Sequence, residues 1–263
     1  MIHLIVATIK EARPLIDFYK LKKKQNSNEF QLFLNDNISL TVSRIGKIYS
    51  AMSVSHTFFE LGKKKNQIWI NFGLAGTKDL NIGELVLVDK VIDDDTGKLF
   101  FPHYFNSLKL PHKSCTTFSK PNKKLNISMS DMECSGFFES SNVFSSKELI
   151  QSLKIISDNQ FESIDFNNEQ QIYTLIKKKI LYINDFTNGI LEIWKEFFQK
   201  DQSLENKIQF IIKKLKPTFY QKHKLSKLIK LYYGKYQSFN TSTIDYSKDA
   251  KYNIELLLKK ISL

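Results

Sequence analysis

Residues 2–8, Ile-His-Leu-Ile-Val-Ala-Thr, form a nearly continuous apolar run that stops at Lys10 and Glu11. A strand with one wet face alternates apolar and polar positions, so an uninterrupted run marks a strand covered on both faces. Similar runs recur at 30–34, 38–44, 67–72 and 84–92. Residues 47–61 between them have helical spacing, with Gly62 placed to stop the helix. Doubly covered strands alternating with helices predict an α/β layer fold around a central, partly parallel sheet.

Seven of the nine glycines lie at or before Gly136, and the chain changes style after Asn168. Residues 93–126, with Pro102, Pro111 and Pro121, read as loops or short strands near a site; 132–142 read as helix and 151–157 as strand. Helical spacing then runs through 168–182, 186–199, 206–216 and 222–233, with Pro217 as a break. The expected division is an α/β domain over 1–200 and a helical extension over 201–263. The extension's apolar stripes, Ile208, Ile211, Ile212 and Leu215, then Leu225, Leu228, Ile229 and Tyr232, are expected to pack on the core or on a partner subunit.

Of the 263 residues, 42% are hydrophobic and 25% charged, which excludes a disordered chain. No stretch approaches the roughly 18 apolar residues of a membrane-spanning helix. The opening run lacks a basic n-region and is not read as a signal peptide. Two cysteines, Cys115 and Cys134, are too few for a stapled scaffold, so a reducing, cytoplasmic setting is expected. The net charge is +12, yet only Arg13 and Arg44 are arginines, and Lys, Asn, Ile and Phe are abundant together. That pattern fits compositional drift at least as well as selection for a polyanion. The stretch Lys207–Lys235, with nine lysines and no acid, is read as a solvated face in preference to a nucleic-acid surface.

Several familiar sites are missing. No dinucleotide-binding glycine motif follows a strand, and Gly46-Lys47 lacks the rest of a phosphate loop. His103, His112 and Cys115 come nearest to metal spacing but read as a solvated loop; no metal or cofactor is expected. Three acids stand where a strand gives way to a helix or turn, at the strand ends where α/β sheets gather ligands: Glu11, Glu133 and Asp158. Singly, each has a structural explanation. Glu11 suits a helix N-terminus, and Asp158 suits a turn or cap.

In order along the chain, the pieces resemble the purine nucleoside phosphorylase/nucleosidase superfamily, most of all its methylthioadenosine/S-adenosylhomocysteine nucleosidase branch. The matching pieces are Ala7 with Glu11, Ser43-Arg44-Ile45-Gly46-Lys47, Asn71-Phe72-Gly73-Leu74-Ala75-Gly76, Ile82-Gly83-Glu84, Met132-Glu133 and Ile156-Ser157-Asp158. The resemblance covers residues 2–160 or so and implies a nucleoside-phosphorylase-like layer fold with a central mixed sheet. It also implies a nucleosidase acting on an adenosine-type nucleoside, usually as a homodimer. Glu133, next to Met132, would hold both ribose hydroxyls; Asp158, beside Ser157, would donate a proton to the purine; Glu11 would deprotonate the attacking water, steadied by Lys154. The backbone of Gly73, Ala75 and Gly76 would lie under the substrate.

Two positions stay open. Phe118 is either a base-stacking residue or an ordinary loop or core phenylalanine, and Ser43–Lys47 is either a plain turn or an anion or water site. The chain departs from the family in its short interval from Asp93 to Met132, in Arg44 replacing a glycine, and in Phe72 replacing a small residue. Phosphorolysis, with Arg44 and Lys47 holding the anion, is the second reading. A non-catalytic nucleotide- or nucleic-acid-binding homologue is the third.

Overall fold

The computed structural model describes residues 1–25, 29–103, 109–121, 128–196 and 200–262, with backbone only at 200–202. Two compact units follow one another, Met1–Glu192 and Ile193–Leu263.

In the first unit, ten strands join in one mixed sheet: β1 (Ile2–Val6), β2 (Lys22–Lys23), β3 (Gln31–Leu34), β4 (Ile38–Val42), β5 (Ile68–Thr77), β6 (Leu85–Asp93), β7 (Leu99–Phe100), β8 (His112–Thr117), β9 (Met129–Asp131) and β10 (Ile150–Asp158). Among the described residues five α-helices accompany them, α1 (Ile9–Tyr19), α2 (Lys47–Glu60), α3 (Cys134–Ser141), α4 (Glu169–Lys177) and α5 (Ile180–Trp194), the last running past the boundary at Glu192. The unbroken apolar run does what it predicts, since every residue of β1 is buried between parallel neighbours β4 and β5.

β5 is the organising strand. Its first half pairs with β1, its other edge runs parallel to β10, and its last residues pair antiparallel with β9. Because β10 continues to β6, β6 to β8 and β8 to β9, these five strands close on themselves. Parallel pairing of β4, β1, β5 and β10 brings their C-terminal ends to one edge of the sheet. The core beneath holds Ile5, Val54, Phe58, Trp69, Val86, Phe137 and Ile156 among others.

Within 93–126, read as loops or short strands, β8 is a short strand interior to the sheet, between β6 and β9, although His-Lys-Ser-Cys-Thr-Thr has no apolar run. Two further features differ from expectation. The break between α4 and α5 falls at Lys178–Lys179, several residues earlier than the periodicity suggests. A further helix, α8, covers Ala250–Ser262. Residues 197–199, at the end of one expected helix, lie outside the described residues, as do residues 125–127, half of the strand expected over 125–130 before Glu133.

The second unit contains α6 (Lys200–Leu215), α7 (Phe219–Tyr236) and α8. Thr218 opens α7 with a reciprocal capping box to Gln221. The apolar stripes bury one another: Ile208 and Ile211 join Leu225, Leu228 and Ile229, with Leu204, Phe239, Ile244, Ile254 and Leu257 closing the cluster. Among the described residues no helix is long and apolar enough to cross a membrane.

One glycine fixes the approach of α3 to α2. A Cβ added at Gly136 would lie 1.9 Å from the Lys47 carbonyl oxygen, a rigid backbone atom. Alanine is worth about 1 kcal/mol over glycine inside a helix, but forced overpacking costs about 1–3 kcal/mol. Gly136→Ala is therefore expected to lower the urea midpoint of unfolding; an unchanged or raised midpoint would show that the helices separate freely.

Candidate active site

The strand-to-helix turn after β1 delivers the first acid. Thr8 caps α1, and its hydroxyl donates to Glu11 Oε1 at 2.6 Å. Glu11 is buried, and the Leu74 amide donates to it as well. Burial pushes its carboxyl pKa up, against the pull of Thr8, Lys154 and the Leu74 amide. A Cβ at Gly73 would sit 3.1 Å from Glu11 Oε2 and 3.7 Å from Lys154 Nζ, so the bare backbone of β5 runs directly beneath both groups. This placement goes beyond a dipole role at a helix end.

Glu133 arrives from the other side. β9 runs antiparallel to β5 with Ser130 opposite Gly76, so the chain beyond Asp131 travels back along β5. The Gly46 amide, in the turn after β4, donates to Glu133 Oε1 at 2.9 Å. Burial raises the Glu133 pKa to about 7, with Asp131 and Glu11 adding to the rise and Lys154 and the Gly46 amide opposing it. Ser43–Lys47 is thus a strand-to-helix turn that grips an acid through its backbone. Gly46 adopts φ 111°, a conformation that favours glycine.

Sequence reasoning missed Asp131, and it is the centre of the arrangement. Asp131 Oδ2 lies 2.7 Å from Lys154 Nζ and accepts from the Cys134 amide at 2.8 Å, while Oδ1 accepts from the Thr117 hydroxyl at 2.7 Å. It therefore fixes the start of α3, the end of β8 and the ammonium of a fully buried lysine. Burial opposes the charge on Lys154, but Asp131 and the neighbouring acidic groups outweigh it and raise its pKa. The available signal was a second acid two residues before Glu133 together with a lysine inside the apolar strand 150–158: a buried lysine requires a partner.

Asp158 stands at the end of β10, three residues along β5 from the Gly73 position. The β10–β5 register pairs Lys154 with Gly73 and Asp158 with Gly76, with an irregularity at Ser157. The Ser157 hydroxyl donates to Asp158 Oδ1 at 2.6 Å and lies 3.3 Å from the Ala75 carbonyl. A Cβ at Gly76 would fall 2.3 Å from Asp158 Oδ2. Each bare position on β5 thus makes room for a carboxylate. Asp158 is half-buried, as are Met132 and Phe118, and the Phe118 amide donates to the Asp131 carbonyl at 2.9 Å.

The two cations considered for an anion site are engaged elsewhere. Lys47 pairs with Asp93 at 2.8 Å and also with Asp95. The Arg44 guanidinium lies 5.5 Å from the Tyr49 ring centroid and 6.0 Å from that of Phe30. Cys115, Asp131 and Cys134 cluster, all buried, with ligand atoms within 4.8 Å of one another. The donor set does not suit a metal, because the Asp131 oxygens already serve Lys154, Thr117 and the α3 amides. His112 lies elsewhere, 3.0 Å from Asp89.

No protein-family model and no curated protein sequence matches the chain. Its structure does have counterparts. The apo 5′-methylthioadenosine nucleosidase of Arabidopsis thaliana superposes with TM-score 0.62 at 16% identity, covering 72% of this chain and 96% of that one. The 5′-methylthioadenosine/S-adenosylhomocysteine nucleosidase of Campylobacter jejuni gives TM-score 0.56 at 18% identity, covering 74% and 99%. That of Helicobacter pylori gives 0.53 at 16%, covering 73% and 98%. The chain therefore has the nucleoside phosphorylase-like fold seen in these nucleosidases, and the matched share is about the size of the first unit.

Removing one partner of a buried ion pair typically costs about 3–5 kcal/mol, because the other charge is left unpaired. Asp131→Asn is expected to destabilise the chain on that scale, with most of the loss recovered when Lys154→Met is added. A double variant no more stable than Asp131→Asn would show that the ion pair is not the source. Glu133 supplies a pH test. Its pKa is raised on folding, from 4.5 to about 7, so its contribution is full below pH 4.5 and is lost as pH rises through 7. One proton corresponds to about 1.4 kcal/mol per pH unit, and Glu133→Gln should flatten the fall in stability across that window.

Proposed function

We propose that the protein is a purine nucleoside N-ribosyl hydrolase, cleaving the glycosidic bond of an adenosine-type nucleoside with water as nucleophile. The observation that carries this reading is that Glu11 and Asp158 stand over the bare positions Gly73 and Gly76 of β5, while Glu133 lies near enough to feel the charges of Glu11 and Lys154. The fold shared with solved methylthioadenosine nucleosidases supports the same substrate class.

Cleavage at C1′ develops positive charge on the ribose and negative charge on the departing base. Glu133 accepts hydrogen bonds from the ribose hydroxyls, and the Gly46 amide fixes its orientation. The C1′–N bond breaks with its electron pair leaving on the base, and Asp158, steadied by Ser157, supplies the proton. Water attacks C1′ and gives its proton to Glu11, whose raised pKa makes it a stronger base than an exposed glutamate. Lys154 lies beside Glu11 over Gly73, and Gly73, Ala75 and Gly76 keep the floor low. Met132 and Phe118 flank the sugar and the base. The engagement of Lys47 with Asp93 and of Arg44 with Tyr49 favours water over phosphate as nucleophile.

A homodimer fits the surface of α2. Ile45, Ile48, Tyr49, Met52 and Phe59 are all exposed at helical spacing, Ile48 to 70%, and the stripe begins next to the Gly46 amide that holds Glu133. Two free, buried thiols accord with a reducing, cytoplasmic setting.

The deciding assay incubates the protein with methylthioadenosine, adenosylhomocysteine, adenosine and inosine, with and without phosphate, and measures free base. Release independent of phosphate is expected; release only with phosphate would make the enzyme a phosphorylase. Asp158→Asn should lower turnover by about 10²–10⁴-fold while leaving nucleoside binding largely intact, whereas Glu133→Gln should weaken both. Unchanged turnover in Asp158→Asn refutes its role. Substrate affinity should rise as pH increases through about 7, where Glu133 ionises.

A further inference from the structure

The second unit is electrostatically unlike the first. Residues 193–263 hold fifteen lysines and six acids, so they carry +9 of the chain's +12, while the much longer first unit is nearly balanced at +3. Compositional drift acts on both units alike, so it does not account for this segregation. Within the unit, the apolar stripes close on one another.

The charge is ordered on α7. Its 18 residues span about 27 Å. Leu225, Leu228 and Ile229 face the unit's own core. The opposite face carries Tyr220, His223, Lys227 and Lys230 in a row, with Lys222 and Lys224 beside it. At the start of the helix Phe219 is 90% exposed and Tyr220 71%, with the Lys224 ammonium 5.9 Å from the Tyr220 ring centroid. Lysine–aromatic surfaces of this kind suit either a nucleic acid or an anionic bilayer. An interfacial membrane helix binds through its apolar face, and here that face is already occupied. The accessible face is cationic with projecting rings, which matches phosphates and bases.

We propose that the second unit is a nucleic-acid-binding module that contacts the phosphate backbone through the exposed face of α7. The unit contains no arginine, the residue best suited to bidentate reading of guanine. Recognition is therefore independent of base sequence, with Phe219 and Tyr220 adding stacking on single strands.

The test uses the full chain and fluorescein-labelled 30-residue DNA of two unrelated sequences, single-stranded and duplex, read by anisotropy across a salt series. Affinity should fall linearly on a log–log plot and be the same for both sequences. Each phosphate contact contributes about 0.9 to the slope, so the triple variant Lys222→Gln/Lys224→Gln/Lys227→Gln should lower the slope by about two to three. It should also lose tenfold or more in affinity at low salt, with an unchanged circular dichroism spectrum. A matched triple in the first unit, Lys63→Gln/Lys64→Gln/Lys65→Gln, should bind as the parent does. Absence of binding at low salt, equal loss in both triples, or binding to phosphatidylserine vesicles in place of DNA would each overturn the proposal. The readout is independent of nucleoside cleavage.

Discussion

The ion pair between Asp131 and Lys154 is the interaction on which the rest of the site depends. Lys154 is fully buried inside β10. Such a charge is tolerable only with a close counter-charge and further hydrogen bonds on that counter-charge. Asp131 meets both demands, holding Lys154 at 2.7 Å and taking the Cys134 amide and the Thr117 hydroxyl. One carboxylate thereby ties β8, β9, β10 and α3 together. The position of Glu133, two residues further on, is a consequence of that tie.

β5 supplies the complementary constraint. Its glycines are not turn residues; they leave gaps that side chains from neighbouring elements fill. Glu11 and Lys154 come within van der Waals range of a Cβ at Gly73, and Asp158 would collide with one at Gly76. Phe72, which departs from the pattern of the family the sequence resembles, is buried just before the first of these gaps, so its bulk is absorbed by the core. Arg44, another of the departures, points its guanidinium at Tyr49 and Phe30 while the neighbouring Gly46 amide remains available to Glu133.

What the sequence made legible follows from which forces leave a local trace. Strands buried on both faces write continuous apolar runs, so β1, β4, β5, β6 and β10 could be read directly. β8 is legible only as one of the loops or short strands of 93–126, because its hydroxyl-rich residues serve contacts such as Thr117 to Asp131. Glu11, Glu133 and Asp158 stood out at strand ends. Asp131 did not, since its importance lies in a partner 23 residues away, and no local period records that. The apolar stripes of α6 and α7 are visible in the sequence, but α8, which helps to cover them, leaves no comparable trace.

The charge balance of the site connects this architecture to the proposed reaction. Glu11, Glu133 and Asp131 face a single buried cation, Lys154. Burial raises the pKa values of both Glu11 and Glu133, and Lys154, held at contact distance by Asp131, offsets that rise only in part. A site with an unmet demand for positive charge binds a neutral nucleoside without satisfying it. In the proposed reaction the demand is met as the C1′–N bond breaks and the ribose becomes cationic. Interactions that strengthen only at that moment lower the barrier, whereas uniform binding does not. On this reading the buried lysine serves catalysis by being already paired: an unpaired Lys154 would neutralise the glutamates in the resting state and remove the electrostatic gain on bond cleavage.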